Sequence, residues 1–407
     1  MTFLSIRTRL VLSTAVVFAL VSALGCGSDS NENGNQPDRD SSTNTAGDDA
    51  RIDFGPAPES EWRQVEKQYS ILSTVAGKGE TDNGAEWLSS YENGPATEAE
   101  LSRPHFAMAD AEGNIYIADK EAHAVRRVDA ITGLIATVAG TNEPADMSDV
   151  DDSEGPAIER KLLNPNGLFV LPDGTFYILD LGTARVRRVK NGDMSTLFID
   201  PNGFGLGRGL WVETDTEGRE TAVYYCASSV IRRWTPKAGI VDWVDGFAGL
   251  SNLAMDERGS LLASDRNNGA VYLITEEPGG ETVSTQIAGS GEAKPLADST
   301  TARAGVSALK TPLPGARAVW FHESGGFFVG LHEGCQLWYV DTKGYAHLFL
   351  EGARNAHAGD GDRYDTPGAK VSELRSVSLD HSGNLLIVET DEGYVRKVDR
   401  TDDVQAR

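Results

Sequence analysis

Residues 106–140, 168–198 and 377–399 spell one pattern three times. Each has a short apolar strand, a turn of Asp-x-x-Gly-Asn or Pro-Asp-Gly type, and a second strand ending near an acidic residue. A loop and a third strand of Val-Arg-Arg-Val type follow. The turn glycines (Gly113, Gly174, Gly259 and Gly383) reach backbone angles that other residues resist, and a neighbouring Asp or Asn bonds locally, so hairpins are expected. Residues 210–244, 253–288 and 318–350 are looser copies. First strands therefore start near Phe106, Leu168, Leu210, Leu253, Ala318 and Val377. The sixth copy ends before a fourth strand. At the other end of the repeats, Tyr69 to Gly77 (YSILSTVAG) copies Gly133 to Gly140 (GLIATVAG), the fourth strand of the first unit. A surplus strand at one end and a deficit at the other predict a closed ring, because an open array would leave sheet edges exposed. The expected fold is all-β, a six-bladed β-propeller of four-stranded antiparallel blades closed by an N-terminal strand.

The units resemble NHL repeats. The stretches Asn93-Gly94-Pro95-Ala96-Thr97 and Glu154-Gly155-Pro156-Ala157 resemble the Gly-Pro-Ala-Thr loops of bacterial members. The resemblance covers about residues 69–400. It implies the propeller and leaves function open, since such rings host binding modules and enzymes alike.

Residues 1–25 read as a targeting segment. Arg7 and Arg9 precede the apolar run Leu10 to Leu24, which is too short and too early to be a convincing membrane span. The run ends Ala23-Leu24-Gly25-Cys26, which resembles a bacterial lipobox, with Ala23 departing from the usual leucine. The expected organisation is a lipoprotein-type signal peptide (1–25), a lipidated Cys26 with a disordered tether (26–68), and the propeller (69–400). The tether is expected from its Ser, Asp, Asn, Gly and Pro content, which buries too little to offset ordering. Export would hold the protein at the bacterial cell envelope by a lipid alone. The lack of Asp after Cys26 favours, by resemblance to such lipoproteins, the outer membrane.

With 61 acidic and 37 basic residues the net charge is −24, so nucleic acid is not an expected partner. Cys226 and Cys335 fall in different, non-adjacent units and are expected to be free thiols.

Register places His105, Asn166, Arg208, Asn252, Arg317 and Arg375 at the axial starts of the six first strands. Asp119, Asp180, Ala227, Asp265, Gly330 and Glu389 close the second strands. The mouth of the channel, mixing arginines, amides and carboxylates, is the candidate binding site, although such carboxylates commonly accept backbone N–H groups. One arginine of each pair 126/127, 187/188 and 232/233 should face solvent and the other a neighbouring blade. Four long inter-blade loops (78–103, 141–164, 290–315 and 352–373) should wall two thirds of that face, low over the third blade. In one of them Asp146, Asp149, Asp151, Asp152 and Glu154 crowd together and could offer oxygens to Ca2+ or another divalent cation.

Two functional readings follow. One is a non-catalytic binding platform for a protein or glycan partner. The other is a metal-dependent lactonase or lyase with a divalent ion at the axis. The latter draws on a resemblance to gluconolactonase-type propellers, in which Asn166, Asn252 and Asp265 could take ligand positions. That family's glutamate ligand has no clear counterpart, and no hydrolase elbow, HExxH pair or phosphate loop is present.

Overall fold

The computed structural model describes residues 60–79, 87–148, 150–294 and 299–401. The signal segment, Cys26, the tether to residue 59 and Asp149 lie outside the described residues.

Second strands such as Ile115–Asp119 and Leu385–Glu389 are buried along their whole length, and their turns are tied by the expected chemistry. Asp110 Oδ1 accepts the N–H groups of Glu112 and Asn114 at 3.1 and 2.9 Å. Asp256 and Asp380 repeat that pattern two and four residues on. Antiparallel sheets result, six among the described residues, three of four strands and three of five. Blade 1 consists of Pro104–Ala109, Ile115–Asp119, Ala124–Val128 and Leu134–Ala139. The first strands of blades 2 to 6 are Pro165–Val170, Leu210–Thr214, Leu250–Met255, Ala316–Phe321 and Leu374–Leu379. Each packs against the next around the axis, and the last packs against the first.

Tyr69–Ala76 closes the ring as the outer strand of blade 6, pairing antiparallel with Tyr394–Arg400. Leu72 stands opposite Val398, and Tyr69, Leu72 and Ala76 are fully buried. The folded body begins earlier than composition suggests. Residues 61–68, expected in the tether, form the helix Glu61–Gln68, with Ser60 capping the Arg63 N–H at 3.4 Å. Trp62 stacks on His347 of blade 5 at 4.8 Å between ring centres, and Val65 is buried. Two apolar residues on one short face suffice to dock the helix, a signal that the polar average hides.

The Gly-Pro-Ala loops staple blades together. Gly155–Pro156 adds a short fifth strand to blade 2, and the buried Ala157 bridges two blades. Its carbonyl accepts Gly140 N–H at 3.0 Å from the end of blade 1, and its N–H donates to Gly192 O at 2.8 Å in blade 2. Ala96 links Gly77 to Gly133, and Ala308 links Gly289 to Gly344, in the same way. Gly140 must be glycine, since its φ is +88° and an added Cβ would lie 2.3 Å from His123 O. The loop 352–373 instead lies along the closing strand, with Leu72 N–H donating to Asp362 O and Tyr364 N–H to Ser70 O, both at 2.9 Å. The long loops thus brace the outer rim.

A second repeated device fixes the inner ends of those loops. The carboxylates closing the second strands accept a backbone N–H from the residue seventeen positions earlier: Ser102 to Asp119 at 2.7 Å, Leu163 to Asp180 at 2.8 Å, Ala248 to Asp265 at 2.7 Å and Ser372 to Glu389 at 3.1 Å. All four acids are fully buried. Three also face the first arginine of the third strand, with Arg126, Arg187 and Arg396 at 3.2, 3.9 and 3.5 Å. In blade 3, where Ala227 stands instead, loop residue Asp200 meets Arg232 at 2.7 Å. The first arginine of each pair is therefore held beneath the loop rather than in solvent. The second reaches towards the next blade, as Arg188 does to Glu220 at 3.3 Å.

Two outcomes follow. Asp119→Ala leaves the Ser102 N–H and the Arg126 guanidinium buried without their acceptor, so it should cost about 3–5 kcal/mol, read as a lower denaturant midpoint. Burial first of all raises Asp180 to about 6, against hydrogen bonds from Thr183 and Leu163 that lower it. An acid with a raised folded pKa favours folding while protonated, so this residue's contribution is lost as pH rises from about 4 through about 6. Stability of Asp180→Asn should vary less with pH across that window than that of the parent.

Candidate functional site

Five of the six first strands, all but that of blade 3, begin with a break in register. Pro104 stands opposite Asp119 but Phe106 opposite Ala118, so His105 is an inserted residue. Asn166, Arg317 and Arg375 occupy the same inserted position in blades 2, 5 and 6. A bulge bends the strand and re-aims its side chain. Here it turns four side chains into the end of the axial channel. With Arg208 from blade 3 they line a cavity of about 370 Å³. Lys120, Leu181, Leu206, Arg266 and Asn267, from the turns between second and third strands and from a short loop, complete it.

At the opposite end of the channel, Trp211 of blade 3 and Trp320 of blade 5 lie 5.8 Å apart between ring centres, although blade 4 stands between their blades. They can meet only across the axis. Phe169 of blade 2 packs on Trp211 at 4.8 Å.

Five of the six first-strand residues expected at the mouth line it: His105, Asn166, Arg208, Arg317 and Arg375. Asn252 does not. In blade 4 the extra residue falls where Ser251 and Asn252 together face Ser264, between the pairs Leu250–Asp265 and Leu253–Ala263. Asn252 is fully buried, and its Oδ1 accepts Leu253 N–H at 2.7 Å. Nor do Asp119, Asp180, Asp265 and Glu389 line the cavity, because the loop latches take up their oxygens. In blade 5 the residue equivalent to them is Leu331, which faces Ala316, rather than Gly330. The long loops do not wall this cavity, for none of its lining residues belongs to them. The charged mouth was incompletely legible: Arg266 and Lys120 each sit one residue beyond a second-strand acid that was singled out.

Polar contacts fix the lining. His105 Nδ1 bonds to Asn166 Oδ1, and Asn166 Nδ2 donates to Gly207 O at 2.7 Å. Burial, with Arg208, Arg375 and Lys120 nearby, pushes His105 well below its usual range, so it is neutral. Arg208 is 2% exposed and its guanidinium donates to Ser251 Oγ. Burial first, then Arg375, Arg317 and Arg266, push it well below the ordinary arginine range. Burial and Arg317 lower Arg375 to about 10. Two carboxylates approach from the blade 5 and 6 side: Glu333 bonds to Arg317 at 2.6 Å, and Asp391 lies 3.6 Å from Arg375 and 3.0 Å from Arg103. Both are buried enough to be raised, but hydrogen bonds from His332, with Arg317 on Glu333 and Arg375 beside Asp391, hold them well below the usual carboxylate range.

Metal-ligand sets do not assemble at the mouth. Asn166, Asn252 and Asp265, the residues that a gluconolactonase-like ion would need, have their oxygens on His105, the Leu253 N–H and the Ala248 N–H, with Arg208 among them at the axis. His332, Glu373 and Asp391 converge within 4.8 Å, but Arg354 holds Glu373 at 3.0 Å and arginines flank Asp391. The acidic loop is likewise taken by cations of the chain. Asp152 binds Arg185 at 2.7 Å and Arg187 at 3.2 Å, which with Thr196 holds it down at about 2. Asp151 pairs with Arg160, Asp146 accepts from Ser148, and Glu154 offers Arg160 its backbone carbonyl. The described acids of this loop thus pair with the chain's own arginines and Ser148, and Asp149 lies outside the described residues.

The model of the Teneurin NHL domain matches residues 66–190, from the closing strand into blade 2. No curated protein sequence matches the chain. Among solved structures, an auxiliary nutrient binding protein from Bacteroides ovatus is 13% identical, with a TM-score of 0.59 over 82% of this chain and 77% of that one. A Bacteroides thetaiotaomicron protein of unknown function is 15% identical, with a TM-score of 0.57 over 81% and 75%. A gluconolactonase from Xanthomonas campestris is 12% identical, with a TM-score of 0.50 over 83% and 92%. At these identities the likeness concerns the fold alone. The chain is a six-bladed β-propeller whose residues 66–190 are similar to an NHL domain.

Proposed function

We propose that this protein is an exported, lipid-tethered and non-catalytic binding propeller that receives a ligand or the tip of a protein or glycan partner in its axial mouth. The observation carrying the reading is the axial cavity, into which bulges in four blades turn side chains. A recess of this size with a few convergent polar groups is the usual form of a ligand site. Nutrient binding by the Bacteroides ovatus propeller of like fold agrees with such a role. Chemistry finds less support at the mouth: its histidine is neutral but tied to Asn166, its acids are ion-paired, and Cys226 is buried with its thiol pushed up to about 12 by burial. An Arg-flanked axis also opposes a resident divalent ion, because like charges at close range repel.

The tether rests on Cys26 and the sequence before it. Replacing Cys26 by Ala should move the protein from the membrane fraction to the soluble fraction and abolish incorporation of labelled fatty acid. Retention of both in the variant overturns the anchor.

The full chain should purify without a stoichiometric divalent metal, and millimolar Ca2+ should leave its melting temperature unchanged. One tightly held equivalent, lost in Asn252→Ala or Asp265→Ala, would replace the binding reading with the enzymatic one.

A further inference from the structure

The mouth is cationic in a strongly anionic chain, and its charges are not balanced from within. Arg208, Arg266, Arg317 and Arg375 share one cavity. Arg317 and Arg375 have Glu333 and Asp391 beside them, and Asp391 also serves Arg103. Arg266 forms no ion pair among the described residues. Arg208 is the extreme case. It is almost wholly buried and its one side-chain bond is to the neutral Ser251 hydroxyl, which leaves its Nε without an acceptor. A buried guanidinium without a carboxylate is costly, more so beside three others. His105 Nε2, also buried in the lining, lacks a partner as well.

We infer that the axial mouth is an oxyanion site that takes a carboxylate or phosphate group of a small ligand, with Arg208 at its floor and Arg266, Arg317 and Arg375 around it. The inference rests on the binding reading above and adds the chemistry of the ligand. Guanidinium groups match carboxylate and phosphate oxygens with paired donors. The concave cup of about 370 Å³ suits a small molecule or the charged terminus of a chain, whereas a flat basic surface would suit a polyanion. A site walled by low-dielectric protein concentrates its own field, so the overall charge of −24 does not prevent capture of an anion there. Asn267 and Lys120, the latter paired with Glu121 at 2.8 Å, add polar groups to the same lining.

The test is isothermal titration of the full chain in detergent at low salt with inorganic phosphate, citrate, glucuronate and, as the uncharged control, glucose. At least one of the three anions should bind while glucose does not, and affinity should fall as sodium chloride is added. The phosphate and carboxylate arms tell the two sources of the oxyanion apart. Arg266→Gln, which removes a half-buried charge with no internal ion pair, should weaken binding about tenfold or more while the ligand-free melting temperature stays level or rises. Arg208→Gln should abolish binding. Should that buried variant fail to fold, Arg266→Gln and Arg375→Gln decide the matter. Binding of glucose without any anion overturns the oxyanion assignment and leaves the binding reading standing. Absence of every anion from the parent, or unchanged anion affinity in both Arg266→Gln and Arg375→Gln, overturns it equally.

Discussion

The pairing of Tyr69–Ala76 with Tyr394–Arg400 is the constraint on which the rest of the molecule depends. A propeller blade buries its faces only against neighbours, so every blade needs the ring to be closed. Here closure joins segments more than three hundred residues apart, through a strand whose Tyr69, Leu72 and Ala76 are removed from solvent. The helix Glu61–Gln68 extends that closure by packing Trp62 on blade 5. The loop 352–373 covers the same strand from outside and bonds to it at Ser70 and Leu72. One edge is thereby protected three times over. Such a seam is the weakest place in a ring, because its cohesion is not supported by a short chain connection.

The repeat that builds the ring also separates structural charge from functional charge. Acids at the second-strand ends and the first arginines of the third strands point away from the axis, into the joints between loop and blade. There each carboxylate meets a backbone N–H, and three of the four also meet a guanidinium, which offsets the cost of burial. Bulged residues at the first-strand starts are free of that duty. His105, Asn166, Arg317 and Arg375 differ from blade to blade while sharing one backbone position. The ring thus presents a variable set of side chains on an invariant frame, as loops on rigid scaffolds do elsewhere.

Much of this was legible because period and turn chemistry are local. The hairpins, the six units, the closing strand and the two separated thiols of Cys226 and Cys335 follow from residues close in the chain. The mouth was legible to the extent that position in a repeat predicts position in space, which held for five first-strand residues. It failed at Asn252, which shares the blade 4 bulge with Ser251 and is buried with its Oδ1 on the Leu253 N–H. It failed for the acids because an aspartate able to bind a ligand and one able to bind a backbone N–H look alike in sequence. The Asp146–Glu154 loop misled for a related reason: the arginines that occupy Asp152, Arg185 and Arg187, lie more than thirty residues away.

By itself the sequence determined the number of blades, their hairpins and the need for an early strand to complete the last one. Those properties depend on backbone preferences and on the alternation of apolar side chains, which a linear string records. Only the tertiary structure decided which charges are neutralised. Asp119 finds Ser102 and Arg126, and Asp152 finds Arg185, while Arg208 finds no acid. Charge balance is a matter of distance in three dimensions, so the ring had to close before the cationic mouth could be distinguished from the salt bridges around it.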